Sequence, residues 1–264
     1  MTQSIHPAAA DGFSQAADLY QNVRPSYPTE LAAYLKTVFA NQPKPITVDL
    51  GAGTGKFLPT LLPISQRVIA IDPIFEMLAQ LKQQFPDVET KLGTSDALSL
   101  PDQSIDAIFC AQSFHWFSHP ATLDEFARVL KPDGQVFLIW NQRDIRVDWV
   151  KALADFIADF EADTPRYHSG QWQNVWHERT DFKCIDQPIF DFQHTGSVRD
   201  VVCRRLLSTS FIAAMPKQQQ QQLHDQFAEI MLNMTGKTLD DPIGFPYRCH
   251  VYRYIKHFRM CYDR

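Results

Sequence analysis

The chain is poor in the features that mark specialised protein classes. Of its 264 residues only ten are glycine, and its five cysteines (Cys110, Cys184, Cys203, Cys249 and Cys261) are odd in number, scattered and never spaced as CxxC. That pattern argues against a zinc knuckle or a disulfide framework and fits a reducing cytoplasm. Long apolar runs are missing too. The longest stretches, at 105–111 and 136–140, fall far short of the roughly 18–20 residues that cross a bilayer, so no membrane span is expected. The first ten residues, MTQSIHPAAA, hold no Lys or Arg and no apolar segment, which predicts no secretory leader and a cytoplasmic location. Nor is basic charge in excess. Twenty-five Lys and Arg against thirty Asp and Glu leave −5, which disfavours general nucleic-acid binding. What is present is an ordinary globular composition, 45% hydrophobic and 21% charged, enough for one large domain, or for one core domain with an inserted or appended cap.

The few glycines are unevenly placed, with Gly51, Gly53 and Gly55 crowded together. Before them, residues 46–50 (ITVDL) follow Pro43 and Pro45 and read as a buried strand; after them, 56–62 carry apolar residues at helical spacing. Strands are then expected at 68–72, 88–92, 105–111 and 135–140. Helices are expected at 74–85 and 120–130, with a turn at Lys131-Pro132-Asp133-Gly134. Such alternation predicts an α/β fold whose parallel sheet is covered on both faces. Outside it lie a helix at 28–39 and an amphipathic helix with Trp149, Leu153, Phe156 and Phe160 on one stripe. An aromatic stretch with Trp172 and Trp176 follows, then a strand at 184–194, helices at 198–208 and 216–234, and a strand at 245–255. Gln218–Gln222 are expected on solvated helical turns.

Glycines between a strand and a helix let a ligand approach the backbone and the positive helix end. The dinucleotide fingerprint GxGxxG fails here, because Lys56 occupies the third glycine position. A P-loop fails as well, since Phe57 follows Lys56 and Leu50 stands where its first glycine belongs. What remains is Asp49-Leu50-Gly51-Ala52-Gly53-Thr54-Gly55, with Asp72 closing the second strand. This resembles the DxGxGxG motif of class I S-adenosylmethionine-dependent methyltransferases. Further matches follow in order: Asp72 in VIAIDP, the loop 93–101 (GTSDALSLP), the fourth strand with Gln112-Ser113-Phe114-His115-Trp116, and RVLKPDG at 128–134. The likeness covers about residues 13–145. Upstream, Tyr20, Arg24-Pro25 and Tyr27-Pro28 are similar to the YxxxRPxYP lead-in of type 11 enzymes of the trans-aconitate methyltransferase kind.

The resemblance implies a Rossmann-like seven-stranded sheet, five parallel strands plus an antiparallel C-terminal pair, with a helical cap. It divides a single domain over 1–264 into an N-terminal helical lid (1–45), a cofactor-binding core (46–144), a cap insertion (145–183) and a part completing the sheet (184–264). It implies S-adenosyl-L-methionine as cofactor, held by Tyr20, Arg24, Gly51, Ala52, Gly53, Asp72, Pro73, Met77, Thr94, Ser95, Asp96 and Gln112. Asp72 is expected on the ribose hydroxyls, Met77 on the adenine face, Gln112 on the methionine amino group and Arg24 on its carboxylate. The family often has Asp where this chain has Thr94, so Thr94, Ser95 and Asp96 stay open for the adenine amino group. Asp49 is expected to be structural. His115, Trp116 and Arg143 are expected to line the acceptor pocket, with His115 as base where the nucleophile carries a proton. A carboxylate acceptor would need only positioning cations such as Arg143 or Arg146. His115 and His119 stand four apart, but Pro120 interrupts any helix and no third ligand is evident, so no metal is expected. The expected activity is methyl transfer to a small molecule, by a monomer or homodimer. A non-enzymatic S-adenosylmethionine binder and an RNA or protein methyltransferase are the alternatives.

Overall fold

A computed structural model describes residues 23–162 and 164–257; the expectations for Tyr20 and for the rest of 1–22 lie outside the described residues. The strands run in the order β3-β2-β1-β4-β5-β8-β6, with β7 also paired to β8. Five of them are parallel: β1 (Ile46–Leu50), β2 (Arg67–Asp72), β3 (Glu89–Leu92), β4 (Ile105–Ala111) and β5 (Leu130–Arg143). Each parallel step needs a crossover, supplied in two cases by helices α2 (Phe75–Gln84) and α3 (Pro120–Val129). An earlier helix, α1 (Thr29–Val38), lies against one face. β1 pairs β2 on one side and β4 on the other, so the chain reverses direction across the sheet at β1 and β4. Open α/β sheets bind ligands outside the strand ends at such a switch point.

Two expected elements change for reasons written in proline. The helix expected at 56–62 shrinks to one turn, Leu58–Leu61, because Pro63 has no N–H to continue the ladder. The strand expected at 184–194 is two strands, β6 (Phe182–Asp186) and β7 (Ile189–Ser197), interrupted at Gln187 and Pro188. Both pair antiparallel with successive parts of the long β8 (Pro242–Lys256). The sheet therefore has eight strands where seven were expected, the last position being filled by an interrupted one.

Three apolar clusters hold the layers together. One face packs Phe114, Phe126, Trp140, Trp172 and Trp176. The other packs α1 and α2 through Leu31, Leu35, Leu78 and Leu81. The third joins α4 (Asp148–Ala158) and α5 (Lys217–Thr235) through Leu153, Ile157, Leu223 and Phe227. On α4 the fully buried stripe is Val150, Leu153 and Ile157, while Trp149, Phe156 and Phe160 flank it half-buried. Gln218, Gln219, Gln221 and Gln222 are exposed, whereas Gln220 caps the carbonyls of Ala213 and Met215. No helix among the described residues is long and apolar enough to cross a membrane.

An aromatic column links the second cluster to the switch point. Phe137 on β5 stacks on Phe109 of β4 at 4.6 Å, Phe109 touches Phe57, and Tyr27 meets Phe57 edge-on at 4.7 Å. Truncating Phe137, its fully buried end on β5, leaves a cavity the rigid sheet cannot fill. Phe137→Ala is expected to lower the unfolding free energy by about 3–5 kcal/mol in urea titration; a loss under about 1 kcal/mol would show that the column carries little.

Candidate functional site at the carboxyl edge of the sheet

The glycine turn after β1 is held in place by the end of β2. Asp72 accepts the Gly53 N–H at 2.8 Å on Oδ2 and the Ile74 N–H at 2.9 Å on Oδ1. Gly51 and Gly53 have φ of +70° and +55°, a region side chains rarely adopt. A Cβ on Gly51 would meet the Ser113 Cβ at 2.5 Å, while one on Gly53 would meet nothing within 4 Å. Gly53 therefore faces open space, the cradle a ligand's backbone approach requires. Burial pushes the Asp72 carboxyl up to about 6, and the two backbone N–H groups hold it from going further.

Two adjoining cavities open at this edge. The first is lined by Asp49, Gly51, Ala52, Lys56, Pro25 and Tyr27, among others. The second is lined by His115, Trp116, Trp140, Arg143, Arg166 and Tyr167 among others. Arg24, Gln112, Asn141 and Arg205 border both. Gln112 reaches this position with φ of +64°, backbone strain of the kind found at functional sites.

The first cavity contains buried polar atoms with nothing to bond. Asp49 is buried, and neither of its carboxylate oxygens has a hydrogen-bond partner among the described residues; the same holds for Asn141 Oδ1 and Arg205 Nε. Burial, and then the nearby Asp72 carboxylate, pushes the Asp49 carboxyl up to about 7. Lys56 is pulled down to about 8 by burial and by Arg24 and Arg205. Two acceptor groups beside three cations suit a zwitterion, with an ammonium for Asp49 and Asn141 and a carboxylate for the cations. Asp49 was expected to tie down the glycine turn, but among the described residues its carboxylate makes no hydrogen bond that would do so.

The second cavity is cationic. Arg24, Arg143, Arg166 and Arg205 border it, and no Asp or Glu does among the described residues. Glu161 lies behind it, 3.5 Å from Arg166 and 3.0 Å from His168. Burial, and then Arg205 and Arg166, pulls Arg143 down to about 10. Arg146 does not join them; it is paired with Asp144 and Asp191 outside the cavity.

Several expected site residues stand apart from both cavities. Thr94, Ser95 and Asp96 follow β3, whose Leu92 pairs with Asp72, so they share its edge of the sheet. Ser95 Oγ is engaged with Thr122 at 2.7 Å, and Thr94 bonds Asp96, holding its carboxyl low. Met77 is buried on α2 and Pro73 half-buried before it. His119 caps α3 by accepting the Thr122 N–H, and no three His, Cys, Asp or Glu side chains converge to hold a metal among the described residues. Trp172 and Trp176 are core. Arg166, Tyr167, His168, Arg205 and Asn141 went unnoticed in the sequence.

The model of the methyltransferase domain family matches residues 48–138. An uncharacterized methyltransferase-like protein of Schizosaccharomyces pombe is 32% identical over 230 residues, covering 87% of this chain and 89% of the relative. An uncharacterized methyltransferase of Mycobacterium bovis is 41% identical over 145 residues, 55% of this chain and 58% of the relative. The structure of a proposed type II methyltransferase from Anaeromyxobacter dehalogenans superposes with a TM-score of 0.67 at 20% identity, covering 89% and 97% of the two chains, and so shares the fold. The chain belongs to the class I S-adenosylmethionine-dependent methyltransferases.

The unpartnered Asp49 has a measurable consequence in the ligand-free protein. Its folded pKa is raised from 3.8 to about 7, so the favourable protonated state is fully present below about pH 4 and is lost as pH rises through about 7. Asp49→Asn removes that loss. The variant is expected to melt higher than wild type at about pH 8, by an amount equivalent to a few kcal/mol, and to match it near pH 4, while binding S-adenosylmethionine more weakly. Equal melting at both pH values would mean Asp49 has a partner.

Proposed function

We propose that this methyltransferase esterifies a small anionic acceptor through a carboxylate oxygen. The observation that carries the reading is the second cavity, bordered by four guanidinium groups with no carboxylate among its lining residues. A hydroxyl acceptor is the other oxygen nucleophile to consider, but it needs a base and gains nothing from four cations. Guanidinium groups bind carboxylates in a bidentate geometry that orients as well as attracts. A malonyl-[acyl-carrier protein] O-methyltransferase of Yersinia pestis is 34% identical over 128 residues, 48% of each chain, and supports a carboxylate acceptor for this chain too.

S-Adenosylmethionine, when bound, would supply an electrophilic sulfonium methyl group for the carboxylate oxygen. No proton is lost, so the chain's contribution is alignment and charge. On this reading the backbone of Gly51, Ala52 and Gly53 lies along the cofactor. Asp72 accepts from the ribose hydroxyls with lone pairs its two N–H bonds leave over. Asp49, Asn141 and Gln112 face the ammonium, and Arg24, Lys56 and Arg205 its carboxylate. Pro73, Met77 and the Thr94–Ser95–Asp96 loop serve the adenine side. Arg143 and Arg166, with Trp116 and His115, receive the acceptor. The net charge of −5 favours a small molecule over a nucleic acid.

The test is transfer of a labelled methyl group to a panel of mono-, di- and tricarboxylates, phenols and amines. Base-labile methyl esters are expected, with Arg143→Gln raising KM about 10–100-fold for the loss of a charged hydrogen bond worth ~1.5–3 kcal/mol. Methylation of phenols or amines with carboxylates inert would overturn the reading.

A further inference from the structure

We propose that Trp140 locks His115 as the neutral tautomer protonated at Nε2, so that His115 serves the acceptor as a hydrogen-bond donor and not as a base. The proposal rests on the carboxylate reading in one respect: an acceptor that arrives ionised has no proton to give up.

The geometry comes from a bond between two side chains of different capability. Trp140 Nε1 donates to His115 Nδ1 at 3.1 Å. Indole N–H can only donate, so Nδ1 must present its lone pair, and in a neutral imidazole the proton then sits on Nε2. The ring is half-buried and borders the acceptor cavity, and Nε2 makes no hydrogen bond to the described residues. To act as a base His115 would have to end as an imidazolium with protons on both nitrogens. Its Nδ1–H would then face the Trp140 N–H head-on.

Trp140 cannot step aside to relieve that clash. It is fully buried on β5, packed against Trp172 at 4.6 Å and Tyr167 at 4.9 Å. Tyr167 is itself pinned, its hydroxyl bonded to Tyr252 at 2.8 Å and to His250 at 3.1 Å. The charged groups facing His115 push the same way. Arg24, Arg143, Arg166 and Arg205 border the cavity with His168, and no carboxylate lines it among the described residues. Burial first, then Arg166, Arg24 and His168, pull the imidazole down to about 3. A neutral N–H among guanidinium groups adds a directional bond to a carboxylate without adding charge the cavity would have to repel. This replaces the base role that the sequence alone suggested for His115.

The direct experiment is a long-range 15N–1H correlation spectrum of the labelled wild-type protein, recorded across a pH series. The expected result is a bare Nδ1 and a protonated Nε2 for His115, unchanged from about pH 5 to 8. An Nδ1-protonated ring, or a titration midpoint within that window, would overturn the lock. Trp140→Phe removes the donor, and its folded form is expected to show mixed tautomers; if that variant does not fold, the wild-type spectrum decides alone. The donor role is read by malonate binding to the S-adenosylhomocysteine complex. His115→Gln keeps an N–H and is expected to bind near wild-type strength, while His115→Ala loses on the order of tenfold. Equal binding by wild type, Gln and Ala variants would overturn the donor role. The tautomer is read with no acceptor present, so its failure is separable from failure of the carboxylate reading, which the transfer assay tests.

Discussion

Asp49 lies on β1, the middle of the five parallel strands, in a sheet covered on both faces, and neither of its carboxylate oxygens has a hydrogen-bond partner among the described residues. Parallel topology gathers such groups: β1, β2 and β4 all end on the same edge, so whatever side chains close those strands share one poorly hydrated region. Asp72 shows how the chain can settle such a group internally, by taking two backbone N–H bonds. Asp49 has no such arrangement, and the neighbouring Asp72 charge makes its ionised form costlier still. Each unmatched polar group of this kind costs about 1–3 kcal/mol. That cost is recovered when a ligand of complementary charge is present, and the cofactor of this family has a zwitterionic end.

The same logic runs into the second cavity. Arg24, Gln112, Asn141 and Arg205 border both spaces, so the field at the acceptor depends on what occupies the cofactor side. On the proposed reading, a cofactor carboxylate beside Arg24 and Arg205 weakens their pull on an acceptor anion and leaves Arg143 and Arg166 to hold it. The acceptor would then sit where those two arginines, Trp116 and His115 converge. Binding order and charge are linked through shared residues, with no moving part required.

The core of the fold was legible in the sequence because strand and helix periodicities there are undisturbed. β1, β2 and β4 fall within a residue of expectation, and the Gly51–Gly53–Asp72 constellation is local in sequence and in space. Where reading failed, proline was one cause. Pro63 ended a helix and Pro188 split a strand within runs of apolar residues that otherwise looked continuous. The arginines were the other cause. Arg166 comes from an irregular segment and Arg205 from the helical stretch at 198–207, both far in sequence from any motif, and only the folded chain brings them to the cavity that Arg143 borders. Asp49 was visible as part of the glycine motif, but its lack of a partner is a fact of three dimensions. His115 was found by position; the tautomer proposed for it depends on Trp140, which lies on another strand.

The most direct measurement of this account is proton exchange on cofactor binding. Titrating S-adenosylmethionine into the protein between about pH 6 and 7, in buffers of differing ionisation enthalpy, reports the net protons moved. A carboxyl raised to about 7 that must ionise to face an ammonium should release a proton on binding, and affinity should rise with pH across that range. The account predicts a release approaching one proton near pH 6 and about half of one near pH 7 in wild type, and a clearly smaller one in Asp49→Asn. Binding with no net proton release in wild type, at an affinity independent of pH, would contradict it.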